Sequence, residues 1–61
     1  MKDKIVAFCK DKGIAVTQFE RLIGKSKGYV QKLDYIDPGV KTVKRIAEVM
    51  GTSVEELLKD G

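Results

Sequence analysis

The stretch GIAVTQFERLIGKSKGYVQKLD, residues 13–34, carries most of the information in this 61-residue chain. It contains two short amphipathic segments on either side of Gly24-Lys25-Ser26, and the second segment presents lysines and a glutamine. Two helices joined by a short turn that contains glycine are typical of a helix-turn-helix, whose second helix can enter the major groove of DNA. The spacing therefore predicts this motif.

Apolar residues recur at helical spacing along the rest of the chain, and no alternating run predicts a strand. The pattern predicts one all-α domain over residues 1–61, with helices at about 4–12, 16–23, 27–34, 40–50 and 54–59. Asp3 is the expected N-cap of the first helix and Ser26 that of the third. Ser53 and Glu56 have the spacing of a capping box for the last helix.

Composition excludes several classes of protein. The chain has one cysteine, Cys9, and no histidine, so neither an intramolecular disulfide nor a zinc site of Cys and His ligands can form. No metal or other cofactor is expected. No serine or cysteine has an evident base partner, and we expect no enzymatic activity. The apolar runs are far shorter than the roughly 20 residues that span a bilayer. A lone thiol fits a reducing cytoplasm.

Charge is unevenly distributed. Six basic residues stand against two acidic ones between Lys25 and Arg45, a local balance of +4, whereas the segment from Ile46 to Gly61 has one basic and four acidic residues. A basic middle suits a polyanionic partner. The alternative is an ordinary solvated surface, and charge alone does not decide between them.

The third predicted segment carries side chains that suit DNA. Phe19, Ile23, Val30 and Leu33 are expected to hold the two helices together. The outward positions of the third helix are then Ser26, Lys27, Gly28, Gln31 and Lys32, with Tyr35 at its end. Lysine can donate to guanine or neutralise phosphate, and glutamine can pair with adenine. Tyr29 has two readings, a packed aromatic or a hydroxyl donor to phosphate. A plain helical hairpin with a solvated lysine face is the alternative for the whole segment.

At this point the sequence resembles the Cro/phage-repressor helix-turn-helix family, also called xenobiotic-response-element-like regulators. The segment KDKGIAVTQFERLIGKSKGYVQKL, residues 10–33, has the family's turn glycine, turn serine and Tyr-apolar pair. After a loop about two residues shorter than usual, PGVKTVKRIAEVMGTSVEELL, residues 38–58, matches the family's ending. The resemblance covers about residues 5–58.

The resemblance implies a compact five-helix, lambda-repressor-like domain that binds double-stranded operator DNA and regulates transcription, usually as a symmetric dimer on a palindrome. Carried over by position, the residues that read bases are Lys27, Gly28, Gln31 and Lys32. Ser26 and Tyr29 fall where the family commonly meets phosphate. We expect further backbone contacts from the other basic and aromatic residues nearby, namely Lys25, Tyr35, Lys41, Lys44 and Arg45.

The chain departs from the family pattern at three positions. Val16 stands where the family often has a glutamine that binds phosphate. Glu20 stands where a small residue, usually alanine, lets the two helices approach, so its carboxylate is expected to reach solvent or find a partner such as Lys25 or Lys27. Lys25 itself occupies a turn position that is usually apolar.

Two questions stay open at the level of sequence. The alternative function is a helical protein-interaction module, antitoxin- or adaptor-like, that keeps the fold without binding DNA. A homodimer is the second open question, and it would use the last helix, around Val54, Leu57 and Leu58, or the loop around Ile36.

Overall fold

A computed structural model describes residues 1–59, and within them the chain forms helices and turns with no strand. The helices are α1 (Lys2–Lys12), α2 (Val16–Leu22), α3 (Tyr29–Lys32), α4 (Val40–Met50) and α5 (Val54–Leu58). The prediction of an all-α domain with five helices is confirmed. They pack into a body of 24 × 22 × 18 Å.

The core collects the apolar stripes of all five helices. Its largest fully buried side chains are Ile5, Cys9, Phe19, Val30 and Ile46. The Phe8 ring packs edge-on against Phe19, with 5.9 Å between the ring centroids. In so short a chain each buried side chain removes a large share of the available apolar surface from water.

The helix ends follow from local chemistry, with one correction at the N-terminus. The backbone N–H of Glu56 donates to the Ser53 hydroxyl oxygen at 3.0 Å, which confirms Ser53 as the cap of α5. The assignment of Asp3 as a cap is wrong, since α1 begins at Lys2 and Met1 takes the N-cap position. Asp3 lies in the first turn, where a negative charge is favoured by the helix dipole.

The third helix is much shorter than predicted. The expected helix over residues 27–34 reduces to the single turn Tyr29–Lys32, and Ser26 does not cap it through its side chain. Gly28 has φ +91°, a left-handed conformation that interrupts a right-handed helix and that glycine adopts without steric penalty. The Ser26 carbonyl instead accepts from the backbone N–H of Tyr29 at 3.2 Å, which closes a turn before the helix.

Two lysines of α1 connect distant parts of the chain. The Lys4 ammonium donates to the carbonyls of Glu56 (2.7 Å), Leu57 (3.1 Å) and Lys59, at the C-terminal end of α5. Cations are favoured at this end of a helix. Lys2 forms a 2.9 Å ion pair with Asp34, which follows α3, and the pKa of Lys2 is raised by this hydrogen bond and by the carboxylate's charge.

No helix within residues 1–59 combines the length and the apolar character that a membrane crossing requires.

The buried thiol of Cys9 makes stability depend on pH. Burial raises the pKa of Cys9, and the negative charge of Glu20 raises it further. The unfolded chain releases the thiol proton near pH 8.5, whereas the folded chain holds it to a higher pH. Above about pH 8.5 the unfolded state therefore binds fewer protons, and the free energy of unfolding falls as the pH rises.

We expect urea unfolding, followed by circular dichroism at about pH 7 and about pH 9.5, to show a larger loss of stability for the wild type than for Cys9→Ala. The alanine variant lacks the titrating thiol but keeps every lysine and tyrosine, so it controls for their titration. A stability difference between the two proteins that stays constant with pH would contradict this assignment.

Candidate nucleic-acid interface

The turn between α2 and α3 begins at a glycine in a left-handed conformation. Gly24 has φ +75°, and its backbone N–H donates to the Arg21 carbonyl at 3.0 Å. The next amide, Lys25 N–H, donates to the Glu20 carbonyl at 2.8 Å. These bonds close the C-terminal end of α2, as such glycines commonly do, and turn the chain towards α3.

The side chain of Glu20 joins the two helices. Glu20 is only 2% exposed, and within residues 1–59 it is the one charged side chain that is buried. One of its carboxylate oxygens accepts from the Gly28 amide at 3.1 Å, and the other accepts from the Val30 amide at 2.9 Å. Of the two expectations for this carboxylate, solvent or a partner, the structure shows a partner, but the partner is neither Lys25 nor Lys27. Its partners are backbone amides at the start of α3.

A small notch lies between α2 and the start of α3, with a volume of about 200 Å³. It is lined by side chains of both helices and of the turn before α3, namely Val16, Thr17, Glu20, Lys27, Gly28 and Gln31. The notch brings together three of the four residues predicted to read bases. Lys32 is not part of its lining.

The exposed side of α3 presents polar side chains while its other side is buried. Gln31 and Lys32 are exposed, whereas Val30 is 1% exposed and Leu33 packs partly buried against the core. Tyr35 follows the helix and is 76% exposed. The structure thus places the polar positions of this segment in solvent, as predicted.

Tyr29 and Lys25 pack on each other at the base of the turn. Tyr29 is half-buried against the core, and the Lys25 ammonium lies 5.2 Å from the centroid of its ring. This is a cation–π distance. The Tyr29 ring therefore packs against the core and also holds the Lys25 ammonium near its face. The exposed Ser26 and Lys27 lie in the same turn.

The three basic residues of α4 differ in their surroundings. Lys41 is exposed in the first turn of α4, and Lys44 lines an apolar groove beyond the end of α3. The Arg45 guanidinium is partly engaged within the chain: its Nε donates to the Leu22 carbonyl at 3.3 Å, and Nη1 lies 3.5 Å from Glu48. This contact ties α4 to the C-terminal end of α2.

A second concave surface lies beyond the end of α3. This apolar groove of about 570 Å³ is lined mainly by aliphatic side chains, with one carboxylate and one ammonium group. Its lining is Met1, Leu33, Ile36, Asp37, Pro38, Val40, Val43, Lys44, Val54 and Leu58. Val40 and Leu58 are 72% and 59% exposed, so the groove opens to solvent between two apolar rims.

Sequence reasoning missed the partners of Glu20 and the position of Thr17 in the notch. The departure from the usual small residue at Glu20 was the available signal, but helical spacing does not show which backbone amides a side chain will reach. Thr17 carried no signal of its own. It lines the notch beside Lys27 and Gly28, which lie in the turn because α3 starts two residues later than predicted.

No family model matches this sequence, and the searches of curated proteins and of solved structures found no match either. The resemblance to the Cro/phage-repressor family therefore rests on the motif residues themselves.

Proposed function

We propose that the chain is a sequence-specific, double-stranded-DNA-binding regulator of transcription, with α2 and α3 acting as a helix-turn-helix. The observation that carries the proposal is the placement of Gln31 and Lys32 in solvent on a helix whose opposite side is buried in the core. A helix fixed in this way can present base-reading side chains to a groove with little rearrangement.

In this mechanism α3 enters the major groove. Gln31 would pair with an adenine edge, and Lys32 or Lys27 would donate to guanine. Gly28, without a side chain and at the surface of the notch, would let the protein backbone approach the sugar-phosphate chain. The roles follow from side-chain chemistry and exposure.

Phosphate contacts would come from the cations and hydroxyls around α3. The side chains best suited to such contacts are those of Lys25, Ser26 and Lys41. Tyr29 and Tyr35 would act as hydroxyl donors. Lys44 and Arg45 are less suited, because Lys44 lines the apolar groove and Arg45 contacts Leu22 and Glu48.

A cytoplasmic location is part of the proposal, since the lone Cys9 thiol suits a reducing compartment.

Binding to DNA should depend steeply on salt. If about four phosphates are neutralised, the plot of log K against log salt concentration should have a slope of roughly −3.6. Titration of a mixed-sequence duplex at several salt concentrations measures it. A flat response would favour the protein-interaction module instead.

After selection of a preferred site from random duplexes, the double substitution Gln31→Ala and Lys32→Ala should abolish the preference, while the control Lys59→Ala should retain it. Equal preference in both variants would refute the site.

We further propose that the chain forms a homodimer through the apolar groove. Three exposed apolar residues, Ile36, Val40 and Leu58, line this single surface. The two charged residues of the lining, Asp37 and Lys44, have opposite signs, and within residues 1–59 neither forms an ion pair. In a two-fold interface each patch meets its own copy, so Asp37 of one protomer can face Lys44 of the other.

A charge-swap experiment tests this interface without DNA. Asp37→Lys alone would place lysines opposite one another, and Lys44→Glu alone would oppose carboxylates, so each variant should self-associate more weakly than the wild type. Mixing the two variants should restore association, because both cross-protomer pairs are again opposite in sign. Sedimentation equilibrium measures all four samples. Two variants that associate as the wild type does, or a mixture no stronger than its components, would rule the interface out.

A further inference from the structure

The start of α3 has no side-chain cap from its own segment. The helix has four residues, and its N-cap position is Gly28. Isolated helices of one turn do not form in water, because nucleation fixes several residues for one hydrogen bond. The helix must therefore be held by groups from elsewhere in the chain.

The Glu20 carboxylate supplies what the segment lacks. It accepts from the amides of Gly28 and Val30, while the Tyr29 amide between them is satisfied by the Ser26 carbonyl. Three successive amides at the start of α3 thus have partners, two of them on one side chain of α2. Hydrogen bonds to an ionised carboxylate are shorter and stronger than those between neutral groups. A bidentate contact also fixes direction, since two donors must meet two oxygens.

We propose that Glu20 is a positioning residue for DNA recognition. Its carboxylate sets where α3 begins and how Gln31 and Lys32 face the major groove of DNA. The part of this inference that concerns DNA recognition rests on the proposed function, whereas the part that concerns the start of α3 does not. Glu20 shares the notch with Lys27, Gly28 and Gln31. A shift of the amides it holds therefore moves the reading side chains directly, without unfolding of the core.

Glu20 has no contact with DNA in this mechanism. Its side chain is buried, and its negative charge would repel phosphate if it were exposed. The same charge raises the pKa of Cys9, after the larger effect of burial. The carboxylate therefore links α2 to the start of α3.

The test separates positioning from overall stability. Glu20→Gln keeps the shape but retains only one acceptor for two amides, Glu20→Ala removes both acceptors, and Glu55→Gln is the control on an exposed carboxylate. Amide hydrogen exchange is followed by NMR without DNA, at a temperature where circular dichroism shows each variant folded. In both Glu20 variants, we expect the exchange rates of the Gly28 and Val30 amides to rise by about tenfold or more over wild type, relative to the change at the Ile46 amide of α4. Glu55→Gln should leave these rates unchanged.

The second readout is the ratio of affinities for a selected site and a mixed-sequence duplex. In Glu20→Gln this ratio should fall by roughly tenfold, as expected when base contacts are misaligned. Affinity for the mixed duplex and its salt slope should stay near those of wild type, because the lysines remain in place. Glu55→Gln should change neither.

Two results would overturn the inference. Exchange at Gly28 and Val30 that rises only in step with Ile46 would give Glu20 a merely global structural role. Local exchange that rises while the affinity ratio stays at the wild-type value would refute positioning. If the wild type binds neither duplex, the proposed function fails, and so does the part of the inference that concerns DNA. The exchange rates then decide whether Glu20 holds the start of α3.

Discussion

The structure depends on one buried carboxylate that holds the start of a one-turn helix. A buried charge is expensive to remove from water, and it is tolerated when its oxygens are filled by good donors. Glu20 meets this condition with the amides of Gly28 and Val30 at 3.1 and 2.9 Å. The amides benefit equally, because a buried N–H without an acceptor is itself destabilising.

This contact explains the geometry around it. With the chain held at Gly28 and Val30, the Val30 side chain enters the core that also contains Phe19 and Ile46, and Gln31 and Lys32 remain in solvent. The left-handed glycine at position 28 lets the backbone turn its amides towards α2. A longer helix with its own serine cap would not need Glu20. The short helix, the positive φ and the buried acid are therefore parts of one arrangement.

Much of the fold was predictable because it follows from apolar spacing and glycine stops. The stripe of α4 and the stop at Gly51 appear as expected, as does the cap at Ser53. The errors concern polar contacts. Ser26 has the chemistry of a cap, but its backbone carbonyl is used instead, and Asp3 lies one residue inside its helix.

The candidate site was predictable only in part, for the same reason. Exposure of Gln31 and Lys32 follows from their position on a helix, turned away from the buried Val30. The partner of Glu20 does not, since it depends on where another segment's amides lie in space. Helical periodicity identifies the face that a residue occupies, and it contains no information about hydrogen bonds to a turn eight or ten residues further along the chain.

The free energy of unfolding of Glu20→Gln, measured by urea denaturation beside Glu55→Gln, tests the central claim most directly. Glutamine offers one oxygen to the two amides and turns its own N–H₂ towards the other. We therefore expect a loss of about 1–3 kcal/mol. The substitution at the exposed Glu55 should change the unfolding free energy by less than about 0.5 kcal/mol. Equal unfolding curves for the two variants would show that the buried carboxylate does not hold the fold together.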